Sequence, residues 1–74
     1  MSDLTVDALG LLCPLPVLRA RKVLSGMAPG QVLRLLASDA MAQIDMPVFC
    51  REAGHELIAV EDIDGGQAYL IRRG

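Results

Sequence analysis

Tryptophan is missing, and the other large aromatics occur once each, as Phe49 and Tyr69. With so few stacking platforms and a formal net charge of −2, the chain lacks the basic field and the base-stacking surface of a nucleic-acid binder. Direct contact with nucleic acid is not expected. Cysteine is scarce too: Cys13 and Cys50 are too few and too far apart for the disulfide framework of a small secreted domain. Met1-Ser2-Asp3-Leu4 offers no basic segment running into an apolar one, so a cytoplasmic location is expected. Long apolar runs are absent as well. Arg19, Arg21, Arg34, Asp39 and Asp45 interrupt every candidate before the ~18 residues of a membrane span, so no membrane partner is expected. A lone histidine, His55, brings no ligand cluster with it, and no metal is expected.

What the chain does have is aliphatic content. Of its 74 residues 53% are hydrophobic, enough for one core, and a single domain over 1–74 is expected. Leu4, Val6 and Ala8 alternate with Asp3, Thr5 and Asp7, the period of a half-buried strand. From Pro14 to about Ser25, Val17, Ala20 and Leu24 recur at helical spacing. Gly26 and then Pro29-Gly30 should end this helix, the glycine through a left-handed cap. Gln31 to Ala37 reads as a buried strand. Pro47 suits a first helical turn, which predicts a second helix starting near Asp45 as N-cap and closing at Gly54. Its apolar stripe would be Met46, Phe49, Cys50 and Ala53. Leu57 to Ile63 and Ala68 to Arg73 are strand-like and meet around Asp64-Gly65-Gly66, a hairpin turn. The order β-α-β-α-β-β predicts an α+β two-layer sandwich, with two helices on one face of a mixed four-stranded sheet.

The residues that draw chemical attention are Cys13-Pro14-Leu15-Pro16. With Pro14 at the first helical position, Cys13 becomes the N-cap, where the positive end of the helix dipole favours thiolate over thiol. The two prolines remove amide donors from the first turn, leaving the Leu15 amide as the nearest backbone partner for sulfur, so the activation should be moderate. Fixed φ angles should also hold the thiol in place. Spacing alone leaves two readings, a presented nucleophile or a buried apolar cap. No C-x-x-C and no Ser/His/Asp arrangement accompanies it, which suits carrying better than hydrolysis.

Asp7-Ala8-Leu9-Gly10-Leu11-Leu12 leading into Cys13-Pro14-Leu15-Pro16 resembles the TusA (SirA-like) family of sulfur carriers. The similarity continues through Met27-Ala28-Pro29-Gly30, Asp45-Met46-Pro47, Phe49-Cys50 and Gly54-His55-Glu56-Leu57, nearly the whole chain. It implies a sulfurtransferase in which Cys13 is the catalytic residue. Cys13 would take sulfur as a persulfide from a donor such as a cysteine desulfurase and relay it to an acceptor protein with a reactive cysteine. Family destinations are tRNA thiolation, molybdenum cofactor synthesis and sulfur oxidation; the carrier needs no cofactor. Leu12 stands where the family often has a basic residue, and Ala40 where proline often follows the aspartate.

Cys50, on the apolar stripe, reads as core rather than as a resolving thiol. His55 reads as a cap at the end of the second helix, and Arg19, Arg21 and Lys22 as a solvated face or a docking patch. Leu11, Leu12 and Leu15 could rim the thiol. Two other classes stay open: a binding or regulatory module with a structural Cys13, and a redox protein with a Cys13–Cys50 disulfide.

Overall fold

The computed structural model describes residues 2–74; Met1, part of the segment read for a targeting signal, lies outside them. In chain order the elements are β1 (Leu4–Ala8), α1 (Leu15–Ser25), β2 (Val32–Ala37), α2 (Ala42–Ala53), β3 (Glu56–Ile63) and β4 (Gly66–Arg72). The sheet order is β1-β2-β4-β3. β1 and β2 are parallel, joined across α1, while β2–β4 and β3–β4 are antiparallel, as a helical crossover and a tight hairpin require. This is the α+β two-layer arrangement expected from the pattern.

Alternation decides which residues meet the helices. Val6 pairs with Leu35, and Leu35 with Tyr69, across three adjacent strands, so their side chains share one face. That face also carries Ala8, Leu33, Ala37 and Ile71, and closes against Ala20 and Leu24 of α1 and Ala42, Met46, Phe49 and Cys50 of α2. No charged side chain is buried among the described residues, so the core rests on apolar area. The Tyr69 hydroxyl is buried there without a hydrogen-bond partner, and burial, with the Asp39 charge second, pushes its phenol upward.

Three expectations need correcting. α2 begins at Ala42 with Met41 as N-cap, so Asp45 lies in the first turn and not at the cap. The start is set upstream, where Asp39 accepts from the Met41 amide through its side chain, at 3.1 Å, and from the Ala42 amide through its carbonyl, at 3.0 Å. Pro47 therefore falls inside the helix, where its missing amide leaves the Gln43 carbonyl without its usual donor. Ala53, the last residue of α2, is exposed although it continues the Met46–Phe49–Cys50 stripe. Gly26 caps α1 in a right-handed conformation, φ −93°; the positive φ comes later, at Gly30.

The hairpin turn uses Gly65 at φ 84°. Gly66, already in β4, matters for a different reason: a Cβ built there would run into the Ala37 carbonyl oxygen of the neighbouring strand. Backbone, unlike a side-chain tip, cannot swing aside. Gly66→Ala is expected to cost about 1–3 kcal/mol of stability, read as a lower urea midpoint at unchanged slope.

His55 is not a cap. Its Nδ1 accepts from the Gly74 amide at 3.0 Å, and its ring lies 5.7 Å from that of Phe49. Burial, and then the Arg73 charge, lowers its pKa below the ordinary imidazole value. The folded chain thus binds fewer protons than the unfolded one near that value, so the stabilising contribution is complete above pH ~6.5 and is lost as pH falls below it. Melting temperature measured down a pH series should fall through that range, and less so in His55→Gln.

Candidate functional site

The loop between β1 and α1 carries Cys13 to the surface, and the loop after β2 braces it. Gly10 donates its amide to the Ser38 hydroxyl at 2.8 Å, and Cys13 donates its own to Asp39 Oδ2 at 2.6 Å. Asp39 thus binds the backbone of the cysteine with one carboxylate oxygen and the start of α2 with the other. These two donors, Cys13 first, hold its carboxyl below the usual carboxylate range. This role has a local signature: an aspartate accepting from the amide two residues on is an Asx turn, and Ser38-Asp39 follows a strand and precedes a helix.

α1 starts at Leu15 with Pro14 as its N-cap, so Cys13 stands one residue outside the expected N-cap position. The Leu15 amide is taken by the Leu12 carbonyl at 2.8 Å and is not a partner for sulfur. What does meet the sulfur is a carboxylate: Cys13 Sγ donates to Asp45 Oδ2 at 3.0 Å. A thiol that donates to an anion resists losing its proton. The Asp45 hydrogen bond is the main cause raising the Cys13 pKa, followed by burial and the charges of Asp45 and Asp39. This reverses the expectation of dipole activation. The N-terminus is weak here because its nearest amides are proline nitrogens or already bonded, whereas the anions lie within hydrogen-bond reach.

Beside the thiol a cleft of about 370 Å³ opens between the helices, with Cys13, Val17 and Arg21 on one side and Asp45, Phe49 and Glu52 on the other. The Arg21 guanidinium carbon lies 5.3 Å from the Phe49 ring centroid, a cation–π distance. Of the three basic residues in α1, therefore, one lines the cleft, while all three are exposed. Around the sulfur the rim is apolar, and Leu12 is 70% exposed and Leu15 48%; Leu11 instead packs partly against the core. The α2 side adds Ile44, 62% exposed, with Met41 and Val48. A helix starting only near Asp45 leaves Met41 and Ile44 in the loop before it, whereas Val48 lies within that span, off the apolar stripe.

Cys50 is buried on α2 and free, and burial pushes its thiol up to about 11. Cys13 is free and exposed, so the two thiols are not joined.

Fold and geometry together define a small two-layer domain that presents one accessible thiol at a loop–helix junction. Residues 4–73 match the model of the sulfurtransferase TusA family, and the chain belongs to that family. In three dimensions it is similar to the crystal structure of a SirA-like protein from Desulfitobacterium hafniense, with a TM-score of 0.78 and 27% sequence identity over 93% of each chain. No helix among the described residues is long and apolar enough to cross a membrane.

Proposed function

We propose that the protein is a sulfur carrier that holds sulfane sulfur as a persulfide on Cys13, taking it from a donor protein such as a cysteine desulfurase and passing it to a reactive cysteine of an acceptor protein. The observation that carries this reading is the exposed, unpaired thiol of Cys13 on a braced loop. In loading, the Cys13 thiolate attacks the terminal sulfur of the donor persulfide; a new S–S bond forms, the donor's S–S bond breaks, and the donor cysteine leaves as thiolate. In unloading, an acceptor thiolate attacks the terminal sulfur on Cys13 and Cys13 leaves in turn. Sulfur moves as a neutral atom, so neither step calls on a cofactor. An exposed free thiol also suits a reducing compartment such as the cytoplasm. tRNA thiolation, molybdenum cofactor synthesis and sulfur oxidation remain the candidate destinations, set by the acceptor.

Intact-protein mass spectrometry after incubation with a cysteine desulfurase and cysteine tests the proposal. Wild type and Cys50→Ala are expected to gain one sulfur that a reductant removes. No gain by either, across several desulfurases, favours a protein-binding module in which Cys13 is structural.

A further inference from the structure

Two carboxylates meet the exposed cysteine, an arrangement that works against a nucleophile. Asp45 from α2 accepts its proton and Asp39 from the preceding loop holds its backbone. Glu52, also on α2, and Arg21 on α1 line the same cleft. Among the described residues the only ion pair is Arg72 with Glu56, so none of their cations is paired with Asp45. Apart from the thiol, the Asp45 carboxylate makes no other side-chain hydrogen bond to the described residues; Val48 lines the cleft with it, Ile44 precedes it on α2, and Leu12 and Leu15 flank the Cys13–Pro14 pair, all four side chains exposed.

We propose that Asp45 keeps the Cys13 thiol protonated in the free protein, and that the sulfur-donor protein releases it by docking on the apolar rim with a lysine or arginine placed against the Asp45 carboxylate. The partner chemistry follows from complementarity: an apolar surface with one cation matches an apolar rim with uncompensated anions. The effect on rate follows from the thiol. Raising a thiol's pKa cuts the thiolate fraction by the full factor but raises intrinsic nucleophilicity by less than half of it on a logarithmic scale, so the free protein reacts more slowly with stray electrophiles. When the cation takes Asp45, the thiol proton passes to water and the thiolate attacks the donor persulfide, whose cysteine leaves with the electron pair and is reprotonated from water. Asp45 is here a positioning and protonation-control residue, not the attacking group. The partner half of this proposal rests on the carrier reading of Cys13; the thiol half does not.

The experiment measures two rates on the same variants. Alkylation of Cys13 by iodoacetamide, followed by peptide mass spectrometry across pH, reports the thiol of the free protein. Asp45→Asn is expected to react roughly three- to tenfold faster than wild type near pH 7, with the midpoint of its pH profile shifted down. Loading by a cysteine desulfurase and cysteine is expected to move the opposite way, with a higher apparent KM for the carrier. Asp45→Ala, which removes charge and acceptor together, should repeat both changes, and Asp45→Glu should restore them in part. An alkylation rate and midpoint unchanged in both Asp45→Asn and Asp45→Ala overturn the proposal, as does slower alkylation, which would make Asp45 a base. If wild type itself takes no sulfur, the carrier reading falls, while the alkylation profiles still decide the role of Asp45.

Discussion

Cys13→Ser is expected to lose sulfur transfer altogether, with donor-dependent loading falling to background, while melting temperature stays within a few degrees of wild type, as for surface changes in a domain this small. The two halves have separate causes. Serine keeps the size, the backbone amide bond to Asp39 and a proton for Asp45, so the brace built on Cys13 N and Asp39 survives. What disappears is the sulfur: a hydroxyl is a far weaker nucleophile near neutral pH and cannot hold a persulfide. The second thiol does not substitute, since Cys50 is buried and its pKa is pushed up to about 11. Intact mass and a thermal melt on one preparation check both halves. Equal loading of Cys13→Ser and wild type would move the chemistry elsewhere.

Leu35→Ala carries the largest expected loss of stability. Leu35 is fully buried at the centre of the sheet, beside Val6 on β1 and Tyr69 on β4, with the helices above it. Truncation there removes three carbons from a close-packed site whose neighbours sit on regular backbone and cannot collapse into the gap, which costs about 2–5 kcal/mol. For a domain this small, that corresponds to a melting temperature lower by on the order of 15 °C. Leu36→Ala, one residue on and half-buried on the opposite face, is the control and should cost much less.

The fold was legible because two periods are written cleanly in the chain. Helical spacing of Ala20 and Leu24 matches the buried positions found, and alternation along β1 leads to half-buried Val6 and buried Ala8, while Leu4 at the start of the strand is exposed. Boundaries were harder. Pro47 looked like a helix start because proline is usually excluded from helix interiors, yet the bonds from Asp39 to Met41 and Ala42 begin α2 ahead of it. The site was legible as a residue and illegible as an environment. Cys13 follows from local sequence, but its proton's partner is 32 positions away, and no periodicity links the two. The helix dipole loses for the same reason: it acts on neighbours along the chain, whereas the carboxylates arrive across space.

The far end of α1 is bound in a different way. Arg73 donates through Nε to the Leu24 carbonyl at 2.8 Å, and its backbone pairs with Gln31 and Gly30 at 2.9 Å each. Together with the Ser38 and Asp39 brace at the front, this fixes the helix like a beam supported at both ends. A beam of that kind does not swing. The sulfur's own travel is then limited to rotation about the short cysteine side chain, so the gap between two proteins in a transfer must be closed by the partner's loop, and any carrier of this design sets the reach its partners have to evolve.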